Sequence, residues 1–187
     1  MLTIDPEFHA LCPPLSAEEY TQLEANLLAE GCQEPLVVWQ EAGVLLDGHN
    51  RYALCQAHAL PFDVHARSLP SREDAINWII NNQLGRRNLT EEQKSYLRGK
   101  RYNREKKQGA RTDITSPQNE VKSHTAERLA EEYHVAPATV ERDAQFADAL
   151  DTLAELRGDL REAVLTRQTY ALCLSSWRWR GPIAGVG

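Results

Sequence analysis

The residues best suited to chemistry lie together in VLLDGHNRYALCQ, positions 44–56 of this 187-residue chain. Val44, Leu45 and Leu46 make a short apolar run of the kind that forms a buried strand. Asp47 and Gly48 break it, and Gly48 permits a turn that a residue with a Cβ resists. From Arg51 onward Tyr52, Ala53, Leu54 and Ala57 suggest a helix. A strand that hands a glycine turn to a helix N-terminus presents free N–H groups and the positive end of the helix dipole, which suits an anion. Arg51, in the first turn, is badly placed against that dipole unless a negative group faces it, and a phosphate would serve. The same spacing also fits an ordinary strand-to-helix connection with a solvated arginine.

Other reactive side chains carry weaker signals. Cys12, Cys32, Cys55 and Cys173 are scattered without a CxxC pair, which suggests neither a zinc site nor a disulfide framework. The six histidines lack ligand spacing and read as surface or packing residues. With 42% hydrophobic and 26% charged residues the composition is that of a soluble globular protein. No apolar run approaches the roughly 20 residues that span a bilayer. The N-terminus has acidic residues and no basic region of the secretory kind, so we expect a reduced, cytoplasmic protein. A net charge of −6 hides a strong asymmetry: 86–111 holds ten basic and three acidic residues, and the remainder eleven basic and 24 acidic. Such segregation is the footprint of a polyanion partner.

The elements that must position these groups follow from capping and periodicity. Residues 15–31 read as a helix with Ser16 and Glu19 as a capping box, Leu15 and Tyr20 as a staple, and Gly31 as its stop. PLVVW (35–39) and 44–46 form a hairpin, the helix from Arg51 runs to about His58, and Phe62, Val64 and Ala66 alternate as a strand edge. Ser71 caps a helix whose Ala75, Ile76, Trp78, Ile79 and Ile80 face the sheet; Gly85 interrupts it. Thr90 and Gln93 box the start of a basic helix to about Lys107, with Tyr96, Leu97 and Tyr102 as its sizeable apolar side chains. We expect this helix to pack thinly and leave its cations free. Its Lys94, Arg98, Lys100, Arg101 and Arg104 would make salt-dependent phosphate contacts.

The polar stretch 108–123 reads as a linker between a first domain, 1–107, and a helical domain, 124–173. In TAERLAEEYHVAPATVERDA (125–144), Ala126, Leu129, Ala130 and Tyr133 face inward, His134, Val135 and Ala136 turn the chain, and Pro137 opens a second helix. This pattern fits a helix-turn-helix or a structural helical hairpin. In a DNA-binding module Ala136, Pro137, Ala138, Glu141 and Arg142 would face bases, Arg142 foremost, and Thr139 a phosphate. His134 would need positive φ at the turn, and Asp143 would add negative charge near the DNA. Gly158 ends the long helix, a last one follows over about 160–172, and 174–187 is an irregular tail.

Three segments in series carry a resemblance. DGHNRYAL (47–54) after its strand resembles the GxxR box of the ParB/sulfiredoxin-like domain. NQLGRRNLTEEQ (82–93) is similar to that family's second box, and 125–151 resembles the helix-turn-helix of ParB/KorB partition and regulatory proteins. The resemblance implies an α+β fold: a small mixed sheet with packed helices, followed by an all-α helix-turn-helix domain. It implies a DNA-binding protein of plasmid or phage partition or of transcriptional regulation, responsive to CTP with magnesium. By the resemblance Gly48, His49, Asn50 and Arg51 cradle phosphates, with Gln83 and Arg86 from the second box. The family's acid–Asn pair falls on Asn82 and Gln83, which removes a carboxylate and argues against nucleotide hydrolysis. Sulfiredoxin chemistry lacks its nucleophilic cysteine, since His49 stands in that place. The alternative is a nucleotide-dependent kinase or nuclease using the same box, with Asp47 as its nearest carboxylate. Implied partners are double-stranded DNA, a second copy of the chain and a partition ATPase.

Overall fold

The computed structural model describes residues 2–86, 88–112 and 118–167, without the side chains of 108–112 and 118–123. Helix α1 (Pro6–Ala10) starts where the Asp5 carboxylate accepts from the N–H groups of Glu7 and Phe8, at 2.9 and 3.2 Å, which drops Phe8 into the core. Helix α2 (Ala17–Glu30) has the expected capping box: Ser16 Oγ accepts from Glu19 N–H, and the Glu19 carboxylate accepts from Ser16 N–H. Strands β1 (Leu36–Trp39) and β2 (Val44–Asp47) pair antiparallel. Helix α3 (His49–Ala57) leads on to β3 (Val64–Arg67), which pairs parallel to β1, so the three-stranded sheet is mixed with the order β2-β1-β3.

Helix α4 (Arg72–Leu84) lays Ala75, Ile76, Ile79 and Ile80 against the sheet, as its apolar spacing requires. Then come α5 (Glu91–Thr112), α6 (Gln118–Tyr133), α7 (Pro137–Leu156) and α8 (Asp159–Leu165). The fold is α+β with a helical second half. Among the described residues no helix is long and apolar enough to cross a membrane.

Three features differ from the sequence reading. The stretch read as a linker carries helix from both sides, α5 to Thr112 and α6 from Gln118; residues 113–117 lie outside those described. The last helix stops at Leu165, and 168–187, including the tail, lies outside the described residues. Most consequentially, α5 does not pack thinly. Its Tyr96 and Leu97 join the main core of Phe8, Leu46, Ile76, Ile79 and Ile80, together with Ala147, Leu150 and Leu165. Its Tyr102 enters a second core with Ala126, Leu129, Ala130, Val140 and Ala144. Gly99 lets α5 and α7 touch: a Cβ there would lie 2.0 Å from the Asp143 carbonyl oxygen.

Candidate functional site

The apolar run of β2 ends in the polar Asp47, and the chain then turns through Gly48 at φ +94° into α3. A Cβ at Gly48 would approach Leu36 Cδ2 to 2.6 Å and Arg51 Nη2 to 3.2 Å, so backbone conformation and space both call for glycine. This turn, the end of α4 and one face of α2 enclose a cavity of about 370 Å³. All six residues expected at the site line it: Gly48, His49, Asn50, Arg51, Gln83 and Arg86. An adjoining hollow of about 590 Å³ shares Asp47, Arg51, Gln83 and Arg86 and reaches Asn82.

Asp47 organises the floor. Its buried carboxylate accepts from Arg51 Nη2 at 3.4 Å, Gln83 Nε2 at 3.1 Å and Arg86 Nη2 at 2.5 Å. Arg51 Nη1 also reaches Glu34 at 3.0 Å. The negative groups facing Arg51 are therefore the chain's own Asp47 and Glu34, where the sequence left room for a phosphate. Two arginines from separate elements are preset at the cavity, and the Arg51 Nε donor is buried without a partner. A buried unpaired donor costs about 1–3 kcal/mol unless a ligand accepts from it.

His49 and Cys12 close one wall. Cys12 Sγ lies 3.4 Å from His49 Nδ1 and accepts from Gln83 Nε2 at 3.7 Å. Burial, then the neighbouring His9, holds the His49 pKa down at about 4, so the imidazole is neutral at physiological pH. Burial and then the Asp47 charge push the Cys12 thiol up to about 12, which leaves it no thiolate for nucleophilic work. Cys12 and the α2 residues Glu19, Gln22 and Asn26 are cavity residues that sequence reasoning missed, and Asp47 entered it only as the nearest carboxylate of the kinase or nuclease alternative. The acid beside the glycine turn was the one available signal.

The helical half places a different set of groups. Helix α6 ends at Tyr133, His134 adopts φ +54°, and Pro137 is the first residue of α7. Ala136, Pro137, Ala138, Glu141 and Arg142 are exposed and Thr139 is half-buried. Arg142 lies along its own helix, donating to Ala138 O and Thr139 Oγ1, each at 3.2 Å. Asp143 is turned away from this face and buried, accepting from Ser95 Oγ at 2.5 Å and Arg98 Nε at 2.6 Å. The row Val140, Asp143, Ala144, Ala147, Leu150 is one helix face, so its spacing could have announced this orientation.

The five α5 cations expected to be free are engaged within the chain. Lys94 pairs with Glu91, Arg98 with Asp143, Lys100 with Asp151 and Arg104 with Glu7. Arg101 is buried, bonded to Glu105, Glu132, Asn81 and Tyr133. These acids lie on α1, α5, α6 and α7, so contacts within the fold take up these five cations.

No family model matches the chain, and no curated protein does. Among solved structures it is similar to a pNOB8-like ParB N-domain at TM-score 0.60 and 19% identity, covering 97% of this chain and 82% of that one. A second pNOB8-like ParB N-domain structure aligns at TM-score 0.56 and 21% identity, over 76% of this chain and 60% of that one. A glycine turn on a mixed sheet, a cavity lined by two arginines and a helical second half are thus arranged on the fold of a ParB N-domain.

Proposed function

We propose that this is a ParB-like DNA-binding protein whose first cavity holds the phosphates of a nucleotide, CTP by family resemblance, acting in DNA partition or transcriptional regulation. One observation carries the nucleotide half: the Gly48 turn, the unpartnered Arg51 Nε and Arg86 converge on a single cavity. The α3 N-terminus and Arg51 would hold one phosphate and Arg86 the next, with Asn50 at the rim. A polyphosphate carries enough charge to share the arginines with Asp47, whereas a monoanion competes with it poorly. Magnesium bound with the nucleotide would neutralise part of that charge. Among the described residues no three His, Cys, Asp or Glu side chains gather as a metal site, so the ion would be held chiefly by the phosphates.

The DNA half rests on the α6–turn–α7 geometry with its exposed start of α7. Ala136, Pro137, Ala138, Glu141 and Arg142 would enter the major groove, with Thr139 at a phosphate. Reading two half-sites would take two copies of the chain. Fluorescence anisotropy of labelled duplexes, with and without CTP and magnesium across a salt series, tests both halves. Sequence-preferring binding that responds to CTP is the expected result. Binding that ignores CTP removes the nucleotide half, and no binding at low salt removes the DNA half.

A further inference from the structure

Several polar and aromatic side chains of α5 reach α7. Tyr96 and Lys100 reach Asp151, at 2.8 and 2.6 Å. Asn103, further along α5, donates to Ala144 O at 3.0 Å and to Asp148 at 2.8 Å. Tyr102 packs with Val140 and Ala144, and its hydroxyl pKa is raised by burial and by the nearby Glu141 carboxylate. Tyr102 thus sets the later turns of α5 beside Val140, Glu141 and Ala144 in the first turns of α7. The ammonium of Lys106 lies 5.9 Å from the centre of the Tyr102 ring, the ring that packs with Val140 and Ala144. Lys107 follows it and is exposed. Neither has an ion-pair partner among the described residues, in contrast to Lys94, Arg98, Lys100, Arg101 and Arg104.

We infer that Lys106 and Lys107, not the paired cations nearer the start of α5, grip the phosphate backbone of a nucleic-acid duplex whose groove receives the N-terminal turns of α7. This rests on the DNA reading above. Two features support it. An ammonium with no carboxylate partner gives up no ion pair to bind phosphate, and its counterions are released on contact. A backbone grip adjacent to the inserted helix is also what sets its register on the duplex. Lys94 and Lys100 would have to break pairs of 2.7 and 2.6 Å first.

The test is a salt series of anisotropy titrations on a labelled mixed-sequence duplex, using the full chain and its Lys106→Gln, Lys107→Gln, Lys94→Gln and Lys100→Gln variants. Each of the first two should weaken binding about eightfold near 0.1 M salt and lower the salt slope by about 0.9. The other two should leave affinity and slope as in the parent, with circular dichroism reporting folding of all four. Unchanged affinity in Lys106→Gln and Lys107→Gln, or equal losses in Lys94→Gln and Lys100→Gln with folding intact, overturns the inference alone. A parent chain that binds no duplex overturns the inference together with the DNA reading.

Discussion

Gly99 offers the sharpest test of the packing, because two physical effects give it opposite signs. Taken as an isolated helix residue, Gly99→Ala should stabilise by ~1 kcal/mol, since glycine is the poorer helix former. In the folded chain the new Cβ meets backbone: Asp143 O at 2.0 Å, Asp143 C at 2.5 Å and Ala144 N at 2.9 Å. Ordinary contact begins near 3.4 Å, so α5 and α7 must part by about 1.4 Å along that direction. No flexible side chain can absorb the displacement. It would also stretch the Ser95–Asp143 and Arg98–Asp143 hydrogen bonds made just before Gly99 on α5. Overpacking of this kind costs ~1–3 kcal/mol, and an obstacle made of backbone belongs at the upper end. After subtracting the helix gain, a net loss of ~2 kcal/mol remains. At this chain length that lowers Tm by ~4–8 °C. Thermal melts and urea titrations followed by far-ultraviolet circular dichroism measure it. Gly158→Ala is the control, because a Cβ there meets nothing within 4 Å. A Tm for Gly99→Ala equal to or above the parent's would refute the close α5–α7 contact.

Four further outcomes follow from the site and its supports. Asp143→Ala strands the half-buried Arg98 guanidinium and should cost ~1–3 kcal/mol in urea unfolding; tighter DNA binding without loss of stability would contradict the buried position of Asp143. His49 stays neutral in the folded chain down to about pH 4, while in the unfolded chain it protonates below its ordinary 6.5. Stability should therefore fall as pH drops from 6.5 towards 4, by up to ~3 kcal/mol, and His49→Gln should flatten that decline in urea titrations at stepped pH. Gly48→Ala, strained at φ +94° and crowded by Leu36, should lose CTP binding at least tenfold by isothermal titration calorimetry; parent-like affinity would remove the glycine turn from the phosphate site. Arg142→Ala should weaken the preferred duplex by ~1–3 kcal/mol and random duplexes far less, and equal losses on both would exclude base readout by this residue.

What could be read in the sequence was local chemistry. The Ser16–Glu19 and Thr90–Gln93 boxes, the Ser71 cap, the Gly48 turn, Pro137 at the first turn of α7 and the positive φ of His134 all depend on neighbours within a few residues. The fate of the basic stretch did not. Arg98, Lys100 and Arg104 find their acids 45, 51 and 97 positions away, pairings that only the tertiary fold creates. A tally of charge along the chain therefore measured potential for a polyanion and not its availability. The cavity shows the same division. Its turn and Arg51 are contiguous, but Gln83 and Arg86 meet Asp47 from 36 and 39 positions on, and Cys12 meets His49 across 37. Asp47 was read as a strand breaker and as the nearest carboxylate of the alternative enzyme, and its part as the shared counter-ion of Arg51 and Arg86 emerges only when the end of α4 docks.

Because α5 supplies side chains to both cores, the two halves share a helix. Swapping recognition modules between relatives usually relies on cutting in a loop. Here a cut at 107 would leave Tyr102 without the α6 and α7 surfaces it fills, and Tyr96 and Leu97 without Ala147 and Leu150. A graft of α6 to α8 onto another scaffold must bring α5 with it, together with Asp143 and Asp151 to hold its charges. Variation that spares both cores is then confined, in the first turns of α7, to the exposed Ala136, Pro137, Ala138, Glu141 and Arg142, with Val140 between them held in the second core.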